Sequence, residues 1–192
     1  MLNFITADIL SNVSLHKLLY DCQENNWDIV RGGFIDRIGR SGEFSELVND
    51  ISIWEQYPNA GFFRYPMSKA CPNKICIMRG YVDVTPGQHY AKIDDHTTWR
   101  WQGWNHPLIA PVEEYNIQVH HFKWDSTCIE RIKQVADIRK DYAASDEYLK
   151  MYQSLRRNNF EIDVTNEEYM FEYVGDKAYK HWDKLFKKII SI

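Results

Sequence analysis

Cysteine is scarce in this chain: Cys22, Cys71, Cys76 and Cys128 are the 4 among 192 residues. No two of them form a C-x-x-C pair, and Cys71 and Cys76, with Pro72 between them, lack further ligands at zinc spacing. That excludes a zinc ribbon and a disulfide framework, and predicts reduced thiols in a cytoplasmic protein. Positive charge is not in excess: 23 Lys and Arg face 27 Asp and Glu, for a net charge of −4. That balance argues against a nucleic-acid binder, which carries a basic excess or stripe. No hydrophobic run approaches the ~20 residues of a membrane span. The start, Met1 to Asp8, lacks the basic patch and apolar stretch of a secretion signal. There is no internal repeat and no low-complexity tract.

What is present describes an ordinary globular chain, with 44% hydrophobic and 26% charged residues. The length suits one domain, or one core with an extension. Aromatics are high at 15%, including 7 Trp and 12 Tyr. Such rings fill cores, and they also build interfaces and sugar-stacking faces, because each joins an apolar face to a polar edge.

Residues 3–9 read as a short buried strand. Ser14 is placed to cap a helix from Leu15 to about Asn25, with Leu15, Leu18, Leu19 and Cys22 on one stripe. A strand follows over residues 27–37, where Gly32-Gly33 predicts a bulge or a close backbone approach. Strand, helix, strand suggests a crossover unit and an α/β sheet. After a turn at residues 40–43, the pattern breaks up between residues 49 and 74. That loop is long enough to be functional, and it contains Trp54-Glu55-Gln56-Tyr57-Pro58. Lys74 to Arg79 is a further strand, Pro86-Gly87-Gln88-His89 a turn, and Trp99, Trp101 and Trp104 an aromatic insertion.

The central stretch is Gln118-Val119-His120-His121-Phe122-Lys123-Trp124-Asp125. As a strand it sets Val119, His121 and Lys123 on one face and His120, Phe122 and Trp124 on the other. Asp125-Ser126 then caps a helix. Beyond it the periodicity is helical: Ile129 to Ile138, Tyr148 to Leu155, and a third helix from about Glu167 to the end. The expected organisation is an α/β core over residues 1–125 with a small mixed sheet, and a helical region over 126–192.

Four segments occur in one order: Val30-Arg31-Gly32 leading to Asp36-Arg37, Trp54 to Pro58, Pro86 to His89, and Val119 to Trp124. Together they resemble the later half of glycosyltransferase family 2-like proteins with the GT-A fold, over roughly residues 3–155. The resemblance implies a nucleotide-sugar donor, a sugar or glycan acceptor and a divalent cation, Mn²⁺ or Mg²⁺. It also implies that the nucleotide-binding half is missing, and that Ile5 to Leu10 stands where an Asp-any-Asp motif belongs. There Thr6 replaces the first Asp, Asp8 keeps the second, and Ile9 replaces the acid that follows.

The candidate base is Glu55, which would take a proton from the acceptor hydroxyl. Candidate metal ligands are Asp8, His120 and His121. Candidate substrate contacts are Asp36, Arg37, His89, Trp101 and Trp104. Two other readings stand beside this one. One is a non-catalytic binding or assembly module with the same half-fold. The other is a metal-dependent hydrolase built on His89, His120 and His121. A sheet edge left by a missing half predicts a homodimer, or an N-terminal strand that covers the edge.

Overall fold

The computed structural model describes residues 7–11, 13–85, 87–93, 96–98, 106–115, 117–138, 145–181, 184–185 and 187. For residues 7–11, 93, 96–98 and 138 the description covers the backbone. The class is mixed α/β, with nine strands and five α-helices among the described residues. No helix among them is long and apolar enough to cross a membrane.

The first elements are β1 (Ala7–Ser11), α1 (Leu15–Glu24) and β2 (Ile29–Ile38). Ser14 caps α1 by accepting from the Lys17 amide at 3.2 Å. Then come α2 (Ile53–Gln56), β3 (Asn59–Gly61), α3 (Arg64–Ser68), β4 (Asn73–Met78), β5 (Asp83–Val84), β6 (Ala91–Ile93), β7 (His96–Thr98) and β8 (Ile117–His121). The last part holds α4 (Cys128–Ile138), α5 (Ser145–Arg157) and β9 (Glu172–Tyr173). The hydrogen-bonded order is β1-β8-β2-β3-β9, with β4 also on β2, and β5-β6-β7 form a separate sheet. β1 thus lies at the edge beside β8.

A mixed sheet was expected. The ladders with a described register, β2 with β3 and β4, β3 with β9, and β6 with β5 and β7, are antiparallel. Among the described residues, an isolated parallel bridge joins Ile29 with Ile109. Antiparallel neighbours need no crossover helix, which suits the short α2 and α3.

The chain divides into two compact units. One comprises residues 1–7, 35–70 and 120–179, the other residues 8–34, 71–119 and 180–192. In the first unit, Ile38, Phe63, Trp124, Cys128, Ile132, Met151, Leu155 and Ile162 form the core. α4 and α5 supply its helical wall, α5 from the stripe that includes Met151 and Leu155. In the second, Leu18, Val30, Ala110, Tyr115, Ile117 and Val119 form one cluster, and Ile29, Ile75, Val82, Ala91 and Ile109 another. Gly32 belongs to this second unit. A Cβ there would lie 2.6 Å from Cys76 Sγ and 2.8 Å from the Ile117 carbonyl oxygen, which is the close approach the paired glycines predict. The ladder irregularity itself falls one step earlier, between Val30 and Arg31.

The third C-terminal helix does not start at Glu167; of its expected span, residues 184–185 and 187 are helical among the described residues. Glu167–Tyr169 is a 3-10 turn, and β9 follows it. Asn166 accepts from the Glu168 amide at 2.9 Å, and Met170 ends the turn in the left-handed region at φ 51°. Of the residues expected on that helix, Tyr179 is buried and donates its hydroxyl to the Met170 carbonyl at 2.7 Å. Leu185 is also buried, while Trp182, Phe186 and Ile189 lie outside the described residues.

Candidate functional site

The site is built in the first unit, where the end of β2 and the end of β8 bring titratable side chains into the core. β2 pairs with β3 through Asp36 with Gly61, Arg37 with Ala60 and Ile38 with Asn59. Neighbouring residues on a strand point to opposite faces, so Asp36 and Arg37 look in opposite directions. The same alternation separates His120 from His121 on β8.

On one face, the Asp36 carboxylate is fully enclosed at 1% exposure. It accepts from Trp124 Nε1 at 3.1 Å and from the Arg64 amide at 3.1 Å. His121 Nδ1 and Arg64 Nε each stand 3.9 Å from it. Burial raises the pKa of Asp36 above its usual value, against the pull of the Arg64 and Lys123 charges and the hydrogen bonds from Arg64 and Trp124. Trp124 was expected on the face of His120 and Phe122. β8 ends at His121, so the period of two lapses, and Trp124 turns back to Asp36 and packs on Phe63 at 4.7 Å between ring centres.

On the other face, the Arg37 guanidinium lies 4.8 Å from the Trp54 ring centre and 5.3 Å from that of Phe122. Trp54 meets Phe122 edge to face at 4.9 Å and His120 at 5.4 Å. One Arg37 nitrogen, Nη2, donates to the Gly175 carbonyl. Nε and Nη1 have no hydrogen-bond partner among the described residues. Burial lowers the Arg37 pKa to about 9, although Asp176 works the other way. His120 is pushed down to about 3, first by burial and then by the Arg37 charge. It is therefore a neutral imidazole at pH 7.

α2 connects this interior to the surface. Gln56 holds the preceding loop through the Val48 amide at 2.8 Å and the carbonyls of Val48 and Ile51 at 2.8 and 2.7 Å. Tyr57 donates to the Ser45 carbonyl at 3.0 Å. So held, Trp54 is half-buried over Arg37 while Glu55, the next residue, is exposed. The expected long loop is thus an ordered segment that carries α2, β3 and α3.

The structure brings Asp36 and His121 together on one face and Arg37 and His120 on the other, and sets Glu55 next to the ring that covers Arg37. His89 lies in the second unit, where its Nδ1 donates to the Asn73 carbonyl at 3.0 Å. Asp8 is in β1 and its side chain is not among those described; Trp101 and Trp104 lie outside the described residues. Among the described residues, no group of three His, Cys, Asp or Glu side chains is placed to hold a metal ion.

Sequence reasoning missed Trp54 as a site residue, and also Arg64, Gly175 and Asp176. Trp54 had a local signal, since it flanks the candidate base in an aromatic loop. The other three had none, since only the fold brings them to β2. No family model, curated protein or solved structure matches the chain.

Proposed function

We propose that the chain is a glycosyltransferase of the nucleotide-sugar type, or its acceptor-binding half, with Glu55 as the base. One observation carries this reading: three of the four segments that resemble the family converge on a single cluster. Arg37 from the first, Trp54 from the second, and His120 with Phe122 from the last are in ring or charge contact. The only acid in the second segment, Glu55, faces solvent beside that cluster. In the step proposed, Glu55 takes the proton of the acceptor hydroxyl as its oxygen bonds to the anomeric carbon. The bond from that carbon to the donor diphosphate breaks, and the diphosphate leaves with the electron pair.

The test is a screen of UDP- and GDP-sugars with and without Mn²⁺, using glycan acceptors and mass detection of product. Glu55→Gln is expected to lower kcat by about 100-fold or more with donor binding retained. Product formed equally well by the variant would remove Glu55 from the mechanism.

A second reading, a non-catalytic binding module, is favoured by the depth of the polar groups. Asp36, His120 and His121 are 1%, 0% and 3% exposed, so they support the fold rather than meet a substrate. It predicts donor or glycan binding without turnover, indifferent to Glu55→Gln.

A further inference from the structure

We propose that Arg37 is a gated anion site for a diphosphate, closed in this structure by the turn at residues 174–177. The inference goes beyond sugar transfer and does not depend on it. It rests on how incompletely a buried cation is satisfied.

A guanidinium presents two flat faces and a fork of N–H donors along its edge. For Arg37 the rings of Trp54 and Phe122 occupy the space around the guanidinium. The edge is what remains for hydrogen bonding, and only Nη2 is used, by the neutral carbonyl of Gly175. Nε and Nη1 are buried without an acceptor among the described residues. No carboxylate lies within ion-pair distance of Arg37 among the described residues. A buried charge in this condition is costly, and an oxyanion that accepts from two of its N–H groups is the ligand that relieves it.

The cover over this edge has few backbone bonds, although Tyr173 accepts from Arg40 Nη2 at 3.0 Å and Val174 is buried. β9 pairs with β3 through two residues only, Asn59 with Tyr173 and Ala60 with Glu172. Past it, the amides of Val174 and Gly175 share one acceptor, the Pro58 carbonyl, at 3.0 and 3.1 Å. Gly175 adopts φ 56°, and a Cβ there would meet nothing within 4 Å. The turn therefore has room at Gly175, and lifting it breaks the two bonds to Pro58 and uncovers Val174. Tyr179, bonded to Met170, anchors the segment beyond it. When the turn lifts, a ligand oxygen replaces the Gly175 carbonyl on Nη2, and a second reaches Nε or Nη1. Asp176 is carried away with the turn, so the negative charge that now acts on Arg37 from a distance no longer competes with the ligand.

The experiment titrates the full chain with inorganic pyrophosphate by calorimetry and follows amide hydrogen exchange over residues 171–177. Wild type is expected to bind, with faster exchange at Val174 and Gly175 in the bound state. Asp176→Asn is expected to bind several-fold more tightly, because a competing charge is gone. Arg37→Lys keeps the charge without the fork and is expected to lose about tenfold or more in affinity. Pyrophosphate binding that survives Arg37→Gln unchanged would overturn the site. So would failure of both wild type and Asp176→Asn to bind. Binding with no change in exchange at residues 171–177 would overturn the gate. Should Arg37→Gln not fold, Arg37→Lys, Asp176→Asn and the exchange data decide the matter.

Discussion

Asp36 and Arg37 are neighbours on one strand, yet they meet opposite conditions on its two faces. The acid is met by donors: Trp124 Nε1, the Arg64 amide, and two cationic or potentially cationic groups at 3.9 Å. The base is met by rings, one carbonyl and a neutral imidazole. Both side chains are buried to about the same degree. Burial alone therefore does not say whether a charged residue supports the fold or strains it; the count of acceptors and donors around it does.

The sharpest test of this contrast is Asp36→Ala. It leaves the Trp124 and Arg64 donors buried without an acceptor, and it should cost about 3 kcal/mol or more in urea unfolding. A loss under about 1 kcal/mol would mean that the donor-rich face contributes little.

Acid titration separates the faces next, because their signs differ. The folded pKa of His120, about 3, lies below its ordinary 6.5, so the unfolded chain takes up this proton first. The stability it contributes is present above pH 6.5 and is lost as pH falls toward 3. At pH 4.5 that loss amounts to about 2–3 kcal/mol, and His120→Phe should abolish it. Asp36 has a raised pKa, so its contribution is present below 3.8 and is lost as pH rises through the folded value. Urea midpoints at pH 7 and 4.5 should therefore draw closer in His120→Phe. If they stay as far apart as in wild type, His120 is not the group responsible.

The smallest effect is expected on the ring-lined face. Arg37→Met keeps length and removes a cation with two unserved donors, so stability should change by no more than about 1 kcal/mol and could rise. A large loss in this variant, matching that of Asp36→Ala, would erase the distinction between the faces.

Much of this fold could be read from local pattern. The Ser14 cap, α1, the capping of the turn into α4 by Asp125, and α5 with Asn158-Asn159 at its end all depend on residues a few positions apart. Asp125 does accept from the Thr127 amide, at 2.8 Å. The misreadings come where tertiary contacts decide. Trp124 obeys a hydrogen bond to β2 rather than the parity of β8. The Glu167 helix yields to left-handed residues at Met170 and Gly175 and to pairing with β3. For the candidate site, Arg37 and His120 were legible as polar, titratable groups at strand ends. The burial of Arg37 was not legible, because it depends on Trp54, Phe122 and Gly175, which arrive from three other parts of the chain.

The first unit is assembled from residues 35–70 and 120–179, with the second unit's segment encoded between them. During synthesis, β2 leaves the ribosome long before β8, β9 or the helices α4 and α5 exist. Arg37 and Asp36 then wait in water, where neither charge is a liability, and are enclosed only when the last partners emerge. Chains stalled on the ribosome through an added C-terminal linker should accordingly gain protease resistance over residues 35–70 late, once Tyr179 has cleared the exit tunnel. Protection appearing before β8 is made would show that this segment closes without the strand that encloses its charges.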